Sequence, residues 1–138
     1  MFTFAVKQAR SLRQPMLMRA FTDLNKAQLE QKLKGGTLLI DVRDPEEVKE
    51  TGPIAVGKQQ GKNVPLNELA KALALSPADF KKKYGFDKPG ESQEVIFNCK
   101  AGRRSAMASQ VAEKLKYTNV FNYTGGAYDW FGLGDKPH

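Results

Sequence analysis

Thr37-Leu38-Leu39-Ile40-Asp41-Val42 is an almost continuous apolar run, and it constrains the fold of this chain more than any other stretch. A strand with one wet face alternates apolar and polar residues. A continuous run instead needs cover on both faces, the mark of a parallel sheet between layers of helix. The flanking segments supply those helices. Asn25 stands as an N-cap with Gln28 three residues on, Leu29 and Leu33 share one face, and Gly35-Gly36 end the helix. Asp44 caps a second helix with Pro45 at its first position, Glu46 and Glu47 complementing the dipole and Gly52 closing it. Asn67 is expected to cap a helix from Glu68 to Leu73, and Ser76-Pro77-Ala78-Asp79 opens another that runs to about Tyr84, before Gly85. Val95-Ile96-Phe97-Asn98 is a second strand, followed by a helix carrying Ala106, Met107, Val111 and Leu115. Asn119 to Tyr123 is a third. Strand, helix and strand in repeated order predict an α/β fold, with Phe80, Phe97 and Met107 at core spacing. The stretch from Gly52 to Lys62 reads as a polar, glycine-containing loop.

With 138 residues, 41% hydrophobic and 9% aromatic, the chain fits one domain with a real core. No stretch approaches the ~20 apolar residues of a membrane-spanning helix. The net charge of +7 raises the question of nucleic acid, but much of the excess sits at one end. Residues 1–22 hold Lys7, Arg10, Arg13 and Arg19 and no acid, while the remainder is close to balanced, so no nucleic-acid partner is expected. Ala5, Ala9, Leu12 and Met16 recur at helical spacing, with Lys7, Arg10 and Gln14 on another face. This amphipathic, acid-free pattern is that of a mitochondrial presequence over residues 1–20, ahead of a single domain over residues 21–135. If that segment is only a basic tail, the expected location is the cytoplasm.

Cys99 is the only cysteine, so no disulfide forms within the chain. That usage suits a reducing compartment or a catalytic thiol better than a secreted scaffold. A lone cysteine is more often a small buried hydrophobe than a nucleophile. Here, however, it ends a strand and is followed by Lys100-Ala101-Gly102-Arg103-Arg104 and a helix, where cations and a helix N-terminus both favour the thiolate. Gly102 permits the left-handed backbone with which amides converge on an anion. Arg103 and Arg104 add forked donors matched to oxyanions. Positive charge at a helix N-terminus is itself unfavourable by ~0.3 to 1 kcal/mol, which invites an anionic partner. His138, the sole histidine, stands at the end of the sequence, so neither a Cys-His dyad nor a metal site has support, and no cofactor signal is present.

Taken in order, Asp41-Val42-Arg43 with Glu47, Asn63-Val64-Pro65, Cys99 with its basic loop, Gly125-Gly126 and Trp130 resemble the single-domain rhodaneses. The likeness covers roughly residues 21–130 and is nearest to the small thiosulfate sulfurtransferases. It implies a rhodanese-like three-layer sandwich, a mostly parallel central sheet with helices on both faces. It also implies transfer of a sulfane sulfur through a persulfide on Cys99. Lys100, Ala101, Gly102, Arg103 and Arg104 match the surrounding substrate-binding loop. By the same resemblance Asp41 braces the loops near the site, Arg43 pairs with Glu47, and Gly125, Gly126 and Trp130 form a structural turn and a packing aromatic. The implied partners are a small anionic sulfur donor such as thiosulfate and an external thiol acceptor, glutathione or a thioredoxin-like protein, or cyanide.

One count separates two chemistries. Cysteine phosphatases that resemble rhodanese carry their phosphate-binding arginine six positions after the cysteine, and that position here is Ser105. Arg104 lies five positions after, the shorter loop expected to suit a sulfur-sized group over phosphate or arsenate. With no second cysteine to resolve a persulfide, the acceptor must come from outside. The chain departs from the family pattern between Gly52 and Asn63, where a longer polar stretch is expected either to reshape the site mouth or to be a neutral surface insertion. The competing class is a non-catalytic rhodanese module that serves as a regulatory or sulfur-carrier docking domain.

Overall fold

The computed structural model describes residues 21–134. The segment read as a presequence, residues 1–20, lies outside the described residues, as do Asp135 and His138. In chain order the elements are β1 (Thr22–Leu24), α1 (Lys26–Lys34), β2 (Leu38–Asp41), α2 (Pro45–Thr51), β3 (Ala55–Val56), β4 (Gln59–Gln60), β5 (Lys62–Asn63), α3 (Leu66–Ala74), α4 (Pro77–Tyr84), β6 (Val95–Asn98), α5 (Arg103–Lys114), β7 (Val120–Tyr123) and α6 (Gly126–Phe131). Capping chemistry sets several helix starts. Asn25 Oδ1 accepts from the Gln28 N–H at 2.8 Å while Gln28 Oε1 accepts from the Asn25 N–H at 2.8 Å, a complete capping box. Ser76 Oγ accepts from the Asp79 N–H, and Gly85 at φ +81° closes α4.

Five strands form one sheet in the order β1-β7-β6-β2-β5, and every neighbouring pair is parallel. Alternate residues of the buried strands feed two separate cores. Ile40, Val42, Val95, Phe97, Cys99 and Val120 meet Leu69, Leu73, Phe80, Ala108 and Ala112 from α3, α4 and α5. Leu39, Ile96 and Tyr123 meet Leu29 and Leu33 of α1 and Ile54, with Trp130 and Phe131 of α6 packed alongside. Both faces are therefore covered, which is why Leu38–Asp41 and Val95–Asn98 read as unbroken apolar runs. Beyond β2 the chain moves outward to β5, and beyond β6 it moves the opposite way to β7. The ends of β2 and β6 thus flank a topological switch point, the place where open α/β sheets hold ligands.

Three expectations need correction. Helix α3 starts at Leu66 with Pro65 in the capping position at φ −56°, so Asn67 lies inside the helix instead of capping it. Met107 is 49% exposed and not in the core. The buried face of α5 is Ser105, Ala108, Ser109 and Ala112, small residues that seat the helix close against the sheet and turn Met107 outward. The stretch from Gly52 to Lys62 is no open loop. It folds into the antiparallel hairpin β3-β4, turned at Gly57 with φ +61°, and then enters the main sheet as β5.

Candidate functional site

The floor of the site is a set of hydrogen bonds at the end of β2. Arg43 is 2% exposed, and all five of its N–H groups find acceptors within the fold. Nε lies 3.1 Å from both Asp41 oxygens, and Nη2 donates to Asp41 Oδ2 at 2.8 Å and to the Gly52 carbonyl at 3.3 Å. Nη1 donates to Thr51 Oγ1 at 3.0 Å and to the Glu47 carbonyl at 3.3 Å. Arg43 therefore pairs with Asp41, and it meets Glu47 only through the backbone, contrary to the expected side-chain pair. Asn63 fixes the same turn from the next strand, its Nδ2 donating to the Asp41 and Arg43 carbonyls at 2.9 Å each. That is the physical content of the Asn63-Val64-Pro65 motif.

Cys99 follows the last residue of β6, and the chain turns at once into α5. Gly102 adopts φ +100°, and a Cβ there would collide with the Thr124 carbonyl, so only glycine fits. This backbone aims the Gly102 N–H at Cys99 Sγ, 3.0 Å away. Ser105 Oγ lies 3.4 Å from the same sulfur and 3.2 Å from the Gly102 carbonyl. Although Cys99 is only 1% exposed, the atoms around Sγ include two polar hydrogen-bonding groups at the start of a 12-residue helix. The other side of the loop is held by α6. The Ala127 N–H donates to the Cys99 carbonyl at 2.9 Å and the Tyr128 N–H to the Lys100 carbonyl at 3.1 Å. Gly126, at φ +66°, presses its backbone against Lys100 and Ala101.

Arg104 reaches back across the site in a bidentate pair with Glu47, Nη1 to Oε1 at 2.7 Å and Nη2 to Oε2 at 3.0 Å. Glu47 Oε1 also accepts from the Asp44 N–H at 3.0 Å. The hydrogen bond from Arg104 is the chief reason the Glu47 carboxyl titrates at about 2, well below its ordinary 4.5, even though burial opposes the shift. The same bond pushes the Arg104 guanidinium above its usual range. Lys100 and Arg103 carry the loop's remaining charge. Arg103 is exposed, and Lys100 Nζ stands 5.2 Å from the Tyr128 ring centre. A cleft of about 160 Å³ beside the loop is lined by Lys100, Tyr128, Glu47 and Glu50 among others. Among the described residues no group of three or more His, Cys, Asp or Glu converges to hold a metal ion.

The structure thus brings together Cys99, Lys100, Ala101, Gly102, Arg103 and Arg104 in one loop, with Asp41 and Arg43 in the frame beneath. Sequence reasoning counted Ser105 only as a spacer and overlooked its contact with Sγ. Its recurrence with Ala108, Ser109 and Ala112 on one face was the available signal. Gly126, expected only in a turn, also packs directly against the backbone of the loop after Cys99.

A parallel three-layer sandwich with a lone cysteine cradled in the loop at its switch point defines a class of α/β domains. The model of the rhodanese-like domain matches residues 25–132, and the chain belongs to that family. A Schizosaccharomyces pombe protein provisionally named as a mitochondrial thiosulfate sulfurtransferase is 43% identical over 94 residues, covering 68% of this chain and 63% of its own length. The human thiosulfate:glutathione sulfurtransferase is 38% identical over 98 residues, 70% of this chain and 80% of its own. The solved structure of the human single-domain sulfurtransferase TSTD1 superposes with a TM-score of 0.72 at 31% identity, covering 82% of this chain and 97% of that one. The chain therefore spans just under two thirds of the first relative and about four fifths of the second.

Proposed function

We propose that this chain is a sulfurtransferase that carries a sulfane sulfur as a persulfide on Cys99. The observation that carries the reading is the pair of contacts on one sulfur, the Gly102 N–H at 3.0 Å and the Ser105 hydroxyl at 3.4 Å, at the N-terminus of α5. Names of relatives that match most of this domain, thiosulfate and glutathione sulfurtransferases, support it. In the first step the Cys99 thiolate attacks the outer sulfur of thiosulfate. The new S–S bond forms as the sulfur–sulfur bond of thiosulfate breaks, and sulfite leaves with that electron pair. In the second step an acceptor thiolate attacks the outer sulfur of the persulfide, and the electron pair returns to Cys99 Sγ. No oxidant or reductant is consumed. Lys100 and Arg103 draw the anionic donor, the Gly102 amide and the Ser105 hydroxyl hold negative charge on sulfur, and Arg104 fixes the loop through Glu47. Asp41 and Arg43 keep the floor in place. Glutathione, a thioredoxin-like protein thiol and cyanide are all chemically competent acceptors.

The test is thiosulfate turnover by the intact chain against Cys99→Ser, together with mass spectrometry of the peptide containing residue 99. Loss of turnover in the variant, and a mass gain of one sulfur atom on Cys99 in thiosulfate-treated protein, are the expected results. Equal rates would instead assign the domain to docking or regulation. We also propose that residues 1–20 are a mitochondrial presequence ahead of a domain over residues 21–135, supported by the acid-free amphipathic pattern and the mitochondrial name of the S. pombe relative. N-terminal sequencing of protein recovered from mitochondria checks this. An intact Met1 would favour the cytoplasmic alternative.

A further inference from the structure

The cleft beside the reactive loop contains more polar groups than the fold uses. Arg43 spends every donor on Asp41, Glu47, Thr51 and Gly52. Glu47 is occupied by Arg104 and the Asp44 N–H, and the Thr51 hydroxyl donates to the Gly52 carbonyl. Three groups among its lining residues make no hydrogen bond or ion pair within the described fold, the Glu50 carboxylate, the Lys100 ammonium, which only overlies the Tyr128 ring, and the Tyr128 hydroxyl. One is an anion, one a cation and one a neutral donor. A single small ligand that answers all three carries an ammonium and a carboxylate together. Glu50 also sits in the last turn of α2, where the helix dipole disfavours an acid and an incoming cation relieves it.

From this we infer that the cleft is the docking site for the amino-acid end of a low-molecular-weight acceptor thiol, with Glu50 receiving its ammonium and Lys100 its carboxylate. The inference rests on the proposed sulfur transfer and names the acceptor class for it. The cleft volume of about 160 Å³ is that of one amino-acid unit, so the thiol-bearing remainder of a small peptide lies outside it. Lys100 directly follows Cys99, and consecutive Cα atoms are about 3.8 Å apart. The cleft thus abuts the loop that carries Cys99, with Lys100 belonging to both. Tyr128 closes the ring of contacts from α6, with its own edge of the cleft continued by Leu133.

The experiment compares glutathione with glutathione acetylated on its α-amine as acceptors, with thiosulfate as donor, in the intact chain and in Glu50→Gln. Wild type should show a KM about fivefold lower for glutathione than for its acetylated form. Glu50→Gln should raise the KM for glutathione until that preference disappears. A wild type indifferent to acetylation overturns the inference, as does a preference that survives in Glu50→Gln or a variant that slows both acceptors equally. A preference for a thioredoxin-like protein thiol over both peptides, unchanged by Glu50→Gln, overturns it in favour of a protein acceptor. Failure of the underlying chemistry looks different. It would leave wild type without turnover on either acceptor and Cys99 without added sulfur.

Discussion

At the scale of single residues, the cysteine owes its setting to neighbours that are individually unremarkable. Ser105 contacts Sγ and also the Gly102 carbonyl, so its hydroxyl is poised to serve the sulfur whenever the sulfur is negative. Ser105→Ala is expected to slow thiosulfate turnover about tenfold, the worth of one charge-assisted hydrogen bond, with thermal unfolding little changed. Steady-state kinetics beside a melting curve checks both halves. Gly102→Ala should act on both at once. Its backbone lies at φ +100° and its added methyl meets the Thr124 carbonyl, so a loss of order 2–4 kcal/mol in stability is expected along with activity, read by urea unfolding. The candidate cysteine and its loop stand out in the sequence because basic residues after a strand are chemically conspicuous. Ser105 does not, because a serine on a helix face carries no sign of what it faces.

At the scale of elements, α2 and α5 are joined across the site by Glu47 and Arg104, whose side chains are only 26% and 31% exposed. The Glu47 carboxyl is depressed in the folded protein, to about 2 from 4.5, so its contribution is complete above the ordinary carboxylate range. That contribution is lost as pH falls from about 4.5 through 2. Glu47→Gln is expected to lower stability by about 2 kcal/mol at neutral pH, after allowance for solvent screening, and by progressively less as the medium is acidified below pH 4.5. Urea titrations across that range test it. The hairpin β3-β4 behaves differently. Gln59 Nε2 donates to the Gly36 and Thr37 carbonyls, which precede β2 at the end opposite Asp41 and Cys99. Gln59→Ala should thus reduce stability by about 1 kcal/mol and leave the rate unaltered, as measured by melting and by thiosulfate kinetics. Sequence reasoning saw this stretch only as a loop, since two-residue strands show no period. The Asn25–Gln28 capping box, by contrast, was readable because it is written within four consecutive residues.

At the scale of the whole molecule, the parallel architecture followed from two apolar runs, Leu38–Asp41 and Val95–Asn98, that admit no wet face. The order of strands did not, because pairing between β1 and β7 depends on residues some hundred positions apart. That pairing makes a sharp boundary. Phe21 and Leu24 are each 5% exposed and belong to opposite cores. A chain beginning at Phe21 should keep its melting temperature and its turnover of thiosulfate. One beginning at Asn25 should lose at least about 3 kcal/mol, with the edge strand and both anchors gone. Comparison of the two truncations by calorimetry decides the matter.

The seating of Gly126 against Lys100 and Ala101, opposite Gly102 against Thr124, has a bearing on how such a loop changes over time. The turn after Cys99 is pressed at two points against the segment from Thr124 to Gly126, and neither contact has room for a methyl group. A loop in that mould has no slack for an inserted residue. A wider cradle is therefore expected to need accompanying changes in α6 and in the turn after β7. Laboratory evolution toward larger substrates should begin by loosening α6.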